Sequence, residues 1–111
     1  MMTFDEYQIS ARRTQNHGNT AHCQLFHALF GLAAETGEVL GCYQKIYQGH
    51  DLDRAKVIDE MGDVLWFLAE LADCLGVSLS SIAAYNKEKL EERYPDGFDA
   101  DKSVNRKEYQ Q

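Results

Sequence analysis

Val57-Ile58-Asp59-Glu60-Met61-Gly62-Asp63-Val64-Leu65-Trp66-Phe67-Leu68 decides how this chain is read. Apolar residues recur at helical spacing, and two acids, Glu60 and Asp63, sit among them at i and i+3. With about 100° per residue, Glu60 falls between Phe67 and Leu71, inside the apolar arc, and Asp63 falls at its edge. A solvated charge has no reason to occupy that arc. An unpaired buried carboxylate costs several kcal/mol or more unless it is protonated, paired or metal-bound, so on the order of that energy must be recovered nearby.

Upstream, Leu32-Ala33-Ala34-Glu35-Thr36-Gly37-Glu38-Val39 repeats the device. Glu35 lies at the core boundary of its helix and Glu38 further out. Both acidic pairs occupy the same shoulder of their helices, so two facing helices aim four carboxylates at one point. Lysines on that shoulder are few, chiefly Lys45 and Lys56. A divalent cation supplies the missing charge, and all-oxygen ligation suits the hard ions Mg²⁺ and Mn²⁺ rather than zinc. Surface acids held in salt bridges are the competing reading of the same residues.

Working outward, Thr3 followed by Glu6 forms a capping box for a first helix reaching about Asn16. A second helix is expected over about His22 to Gln48, ending at Gly49. A third, capped by Asp51 or Asp53, runs to about Leu75 before Gly76. Ser78 caps a fourth, which stops near Tyr94 ahead of Pro95-Asp96-Gly97. Pro95 is the only proline in 111 residues, and no strand alternation or repeat interrupts the helices. The expected fold is all-α, a four-helix-type bundle, with one domain over residues 1–98 and a polar tail over 99–111, loosely ordered or packed against a partner. Large apolar faces (Leu25, Leu29, Leu32, Val39, Leu40 and Tyr43; then Val57, Met61, Val64, Leu65, Leu68 and Leu75) exceed what one chain covers, so an oligomer is expected. Glycines 31, 37, 41 and 62 interrupt helices at about 1 kcal/mol each, a cost that close helix packing explains, with room for metal-bound phosphate as the functional alternative.

A net charge of −7 argues against a nucleic-acid polymer as partner, because polymer binding rests on clustered Lys and Arg. No stretch has the roughly 20 apolar residues of a membrane span, and the opening residues lack the basic start and apolar run of a signal peptide. Cys23, Cys42 and Cys74 are odd in number, without CxxC spacing, and are read as small buried thiols. A cytoplasmic protein is expected.

On the fourth helix, Asn86, Lys89 and Arg93 share one face at i, i+3 and i+7. Lys89 and Arg93 offer charge to phosphate oxygens, and Asn86 can meet metal, phosphate or sugar. Salt bridges with neighbouring acids are the competing explanation.

Taken together, Glu35-x-x-Glu38, 21 intervening residues and Glu60-x-x-Asp63 resemble the ExxE…ExxD signature of the all-α NTP pyrophosphohydrolases, specifically the MazG-like branch. Asn86-Lys87-Glu88-Lys89-Leu90-Glu91-Glu92-Arg93-Tyr94-Pro95-Asp96-Gly97-Phe98 continues the likeness, which runs from about Leu25 to Phe98. The resemblance implies that Glu35, Glu38, Glu60 and Asp63 hold Mg²⁺, with Mn²⁺ as a possible substitute. It implies cleavage of a nucleoside triphosphate to monophosphate and pyrophosphate, with Lys89 and Arg93 facing the phosphates and Asn86 at the site's edge. Glu38 and Glu60 are the catalytic candidates among the four acids. Homodimers or homotetramers are implied as well. For base selection, Asn16, His17, His22, His27 and Trp66 are candidates. Each histidine also reads as a surface or interface residue, and Trp66 as packing against the first helix or another subunit.

Three alternatives remain. One is a dUTP/dCTP- or phosphoribosyl-ATP-specific member of the same superfamily; another is a non-catalytic helical module for nucleotide binding or oligomerisation. The third, a di-iron carboxylate protein, is disfavoured because neither acidic motif carries the histidine of a Glu-x-x-His pair.

Overall fold

Local capping chemistry sets most helix boundaries in the computed structural model, which describes residues 1–106. Thr3 and Glu6 exchange hydrogen bonds, the Thr3 hydroxyl accepting from the Glu6 N–H at 3.1 Å and the Glu6 carboxylate from the Thr3 N–H at 3.2 Å. They open α1, Phe4–Arg12. Thr20 accepts from the Cys23 N–H and opens α2, Ala21–Tyr47. Asp53, rather than Asp51, caps α3, Arg54–Leu75. Gly76, at φ 69°, terminates α3 in the left-handed conformation that only glycine adopts without strain. α4 is Leu79–Arg93 and α5 is Ala100–Val104.

The described residues are all-helical. Two boundaries differ from the sequence reading. α1 stops at Arg12, and Arg13 to Gln15 turn on i→i−3 hydrogen bonds. The expected loose tail contains α5, whose cap is the Asp99 carboxylate accepting from the Asp101 and Lys102 N–H groups. The short element is too brief for a periodic apolar signal. Residues 107–111 lie outside the described part. Among the described residues, no single helix is long and apolar enough to cross a membrane.

Two compact units divide the chain, Met1–Leu79 and the part from Ser80 onward. In the first, α2 and α3 form an antiparallel hairpin closed by residues 48–53, and α1 packs on α3. The core beside α1 and α3 is built from three alanines, Ala11, Ala69 and Ala72, with Leu79 at the start of α4, flanked by Tyr7, Leu65 and Trp66. Trp66 donates through Nε1 to the Thr14 hydroxyl at 2.8 Å, so it packs beside α1, one of its two expected places. Half of the expected apolar face stays uncovered: Leu29, Leu40, Tyr43, Met61, Leu68 and Leu75 are exposed. An apolar groove of about 530 Å³ runs between α2 and α3, lined by Thr36, Val39, Met61, Gly62, Val64, Leu65 and Leu68.

Of the four helical glycines, Gly31 alone marks a close approach. A Cβ there would stand 2.0 Å from Cε1 of Phe67, whereas Gly37, Gly41 and Gly62 face open space. Close packing therefore explains one of the four and not the other three. The thiols also depart from expectation, since Cys23 is exposed and Cys42 and Cys74 are half-buried.

The second unit begins within α4. Lys87 and Glu91 form an i,i+4 ion pair on it. Arg93 lies over the ring of Tyr94, and the rings of Tyr94 and Phe98 stand 5.8 Å apart across Pro95.

A buried polar knot ties α1 to the end of α3. Asp73 accepts from Gln8 Nε2 at 2.8 Å, from Arg12 Nη2 at 2.8 Å and from Gln15 Nε2 at 2.8 Å. Gln8 also donates to the Val77 carbonyl and accepts from the Leu79 N–H, satisfying both sides of the α3–α4 corner. Burial alone would push the Asp73 carboxyl up, but the hydrogen bonds and charge brought by Arg12, Gln15 and Gln8 outweigh it and hold the group below its ordinary value. A carboxyl depressed in the folded state adds stability above its unfolded pKa of about 3.9 and loses it as pH falls through the lower folded value. Asp73→Asn is therefore expected to lower Tm at neutral pH, by the roughly 1–3 kcal/mol of a buried charged hydrogen bond. The gap between the two proteins should hold down to about pH 4 and narrow only as the pH falls further, through the folded value. Thermal melts followed by circular dichroism check this, and a gap that does not change with pH contradicts it.

Candidate metal and phosphate site

α2 and α3 lie antiparallel with residues 27, 31 and 35 of α2 facing residues 70, 67 and 60/63 of α3. Steps of four residues on one helix and of three or four on the other keep each set on one side. Glu35, Glu60 and Asp63 are thereby brought together, each offering one oxygen, with all three oxygens within 4.8 Å of one another. Glu60 is buried at 6% exposure, as its place in the apolar arc predicts. Glu35 is half-buried and Asp63 is exposed.

Glu38 stands apart from this trio. It is exposed and lines an adjoining polar groove of about 330 Å³ with Gly41, Cys42, Lys45, His50, Asp51, Asp53 and Lys56. Three residues of helix rotate it about 60° from Glu35, which is the outward displacement the sequence implies.

Electrostatics mark the trio as short of positive charge. Lys56 Nζ lies 2.8 Å from Glu60 Oε1 and 3.8 Å from Asp59 Oδ2. The hydrogen bond from Lys56 holds the Glu60 carboxyl below its ordinary value against the opposing effect of burial, helped by a hydrogen bond with Glu35. Glu35 moves the other way. Burial comes first, followed by its hydrogen bond with Glu60 and the negative charges of Asp63, Glu60 and Glu38. One ammonium thus faces three carboxylates, and the repulsion among them falls on Glu35. The salt-bridge reading accounts for Glu60 but leaves Glu35 and Asp63 uncompensated. Hard oxygen donors converging on one point, short of charge, fit Mg²⁺ or Mn²⁺.

Asn86, Lys89 and Arg93 all lie on α4, in the second unit. Asn86 is exposed and lines a groove with Ala83, Lys87, Leu90, Glu91, Tyr94 and Phe98, while Lys89 and Arg93 are half-buried.

Sequence reasoning did not assign partners to two groups. Lys56 pairs with Glu60 at i,i+4, a spacing visible in the sequence. His27 Nδ1 lies 2.6 Å from Oε1 of Glu70, which is 1% exposed. Glu70 passes for one more acid on a charged helix until the fold places it under α2.

The site so defined is an all-helical hairpin carrying a cluster of carboxylates at ExxE and ExxD spacing. Comparison with known proteins narrows this. Residues 27–98 match the family described as the MazG nucleotide pyrophosphohydrolase domain. A relative, the Gene 37 protein of Mycobacterium phage L5, is 34% identical over 101 residues, spanning 83% of this chain and 89% of the relative. The chain belongs to the MazG family. No solved structure matches it significantly.

Proposed function

We propose that this protein hydrolyses nucleoside triphosphates, ribo or deoxy, to the monophosphate and pyrophosphate with Mg²⁺ as its metal. The observation that carries this reading is the convergence of Glu35, Glu60 and Asp63 within 4.8 Å in a chain whose family is that of nucleotide pyrophosphohydrolase domains. Glu35, Glu60 and Asp63 would hold the ion, with Glu38 at its open side.

When bound, the ion supplies Lewis acidity and lowers the pKa of a coordinated water. Glu38, exposed beside the trio, orients the attacking water and takes its proton. Glu60 is held ionised by Lys56 and so remains a ligand at neutral pH. The water attacks the α-phosphorus, the bond from that phosphorus to the α,β-bridging oxygen breaks, and pyrophosphate leaves. Lys89 and Arg93 neutralise its oxygens and Asn86 steadies the substrate. The uncovered apolar faces of α2 and α3 are closed in a homodimer or a tetramer of dimers.

The test is incubation of the purified chain with each NTP and dNTP, with Mg²⁺ and with EDTA, scoring monophosphate and pyrophosphate together. Equal amounts of both products, abolished by EDTA, are expected. Release of single phosphate, or no release from any nucleotide by folded protein, contradicts the assignment.

A further inference from the structure

The α2–α3 seam has two unlike ends. Beyond the trio toward the 48–53 connection it carries charge: Lys45, Lys56, Asp51 and Asp53 line the polar groove. In the opposite direction it carries rings. One turn from Glu35, Phe67 packs over Gly31, where any side chain would collide with it. A further turn on, His27 lies 5.3 Å from the Phe67 ring and 6.2 Å, edge to face, from the Trp66 ring.

His27 is also chemically prepared. Its Nδ1 lies 2.6 Å from Glu70 Oε1, and Glu70 is among the most deeply buried side chains of the protein. A carboxylate oxygen at this distance takes Nδ1 as its partner and holds the ring in place. The histidine side chain itself stays 55% exposed. Nε2, on the other flank of the ring, remains as its second polar atom. A carboxylate that meets a half-exposed imidazole in this way fixes the ring's direction. Trp66 offers no such atom, because its N–H is committed to Thr14.

Eight residues of helix put His27 about 12 Å along α2 from Glu35. A nucleoside reaching from its α-phosphate to the far edge of its base covers a comparable span. We propose that His27, held by Glu70 and backed by Phe67, reads the edge of the nucleobase, so that the nucleoside lies toward the ring end of the seam and the leaving pyrophosphate toward the charged end. This rests on the pyrophosphohydrolase reading and adds the substrate's direction and the residue that selects its base. Glu70 acts through His27 and is a positioning residue.

The test compares the full chain with His27→Phe, Glu70→Gln and Glu70→Leu in Mg²⁺. It reads kcat/KM for each NTP and dNTP and the Kd values of the corresponding monophosphates and of inorganic pyrophosphate. Phe keeps the packing and removes the nitrogens. Gln keeps a hydrogen-bonding partner for Nδ1, and Leu does not. In His27→Phe the spread of Kd across bases should shrink at least about tenfold, the scale of one lost discriminating contact. The pyrophosphate Kd should stay within about twofold of wild type, since no phosphate contact is removed. Glu70→Gln should keep the wild-type ranking and Glu70→Leu should follow His27→Phe. A clamp that only joins α2 to α3 would change Tm in these variants and leave the ranking intact, which overturns the proposal. A wild-type protein that hydrolyses nucleotides without discriminating among bases overturns it too, while the hydrolase reading stands. A wild-type protein that neither binds nor cleaves any nucleotide overturns both.

Discussion

Glu60→Gln should reduce pyrophosphate release by more than about 100-fold, beyond what loss of an outer partner of a metal ligand usually costs. The substitution keeps the shape of the side chain and removes its charge at the most buried corner of the trio, where Glu60 meets Glu35, Asp63 and Lys56. Far-ultraviolet circular dichroism should stay near wild type, because the change leaves the α3 cap and the knot around Asp73 untouched. A second reading separates lost metal from lost chemistry. Wild type at about 100 times the Kd of Mn²⁺ should gain about 2.7 kcal/mol of stability, and Glu60→Gln should gain far less. Asp59→Asn provides the contrast. Asp59 is exposed and 3.8 Å from the same ammonium, but outside the trio, so its loss should leave turnover within about twofold, as a surface pair of that kind contributes little. Full turnover in Glu60→Gln would remove the carboxylate centre from the mechanism.

Gly31→Ala should lower Tm by roughly 5–15 °C, from about 1–3 kcal/mol of overpacking in a small domain. Helix propensity pulls the other way, since alanine replaces glycine inside α2 with a gain of about 1 kcal/mol. The steric term wins because the new Cβ would lie 2.0, 2.3 and 2.4 Å from three atoms of one ring. Phe67 cannot swing away cheaply: its ring stands edge to face with Trp66 at 4.9 Å and tilted against His27 at 5.3 Å. The double variant Gly31→Ala, Phe67→Leu should recover part of the loss by giving the methyl room. A Gly31→Ala protein as stable as wild type would mean that the ring relocates freely and that the seam is looser than described.

The features legible in the sequence are those fixed by local chemistry. Thr3 with Glu6, Asp53 and Gly76 announce helix ends because each cap satisfies backbone groups within a few residues. Glu60 announced its burial because its apolar neighbours lie on the same helix. Glu35 and Asp63 joined it because they share its shoulder of the α2–α3 seam, whereas Glu38, about 60° further round α2, stands apart. Contacts between distant residues were illegible. Nothing near Gln8 points to Asp73, and nothing near Glu70 points to His27; each pairing exists only once two helices are set side by side. The glycines misled for a related reason, because spacing alone cannot separate Gly31, pressed on a ring, from Gly62, which faces open space.

Gln8 carries one more consequence, concerning the order of events during folding. The corner between α3 and α4 is usually closed by neighbours in sequence, yet here a side chain from α1 accepts from the Leu79 N–H, 71 positions later. Closing so long a loop costs entropy before any contact repays it. At nine residues α1 has little stability alone, and Gln8 meets none of its partners until residues 73, 77 and 79 have appeared. The α2–α3 hairpin, joined by a short connection, needs no such delay. The hairpin should therefore assemble first and α1 dock last, so that the seal on the corner is also the step that completes the unit.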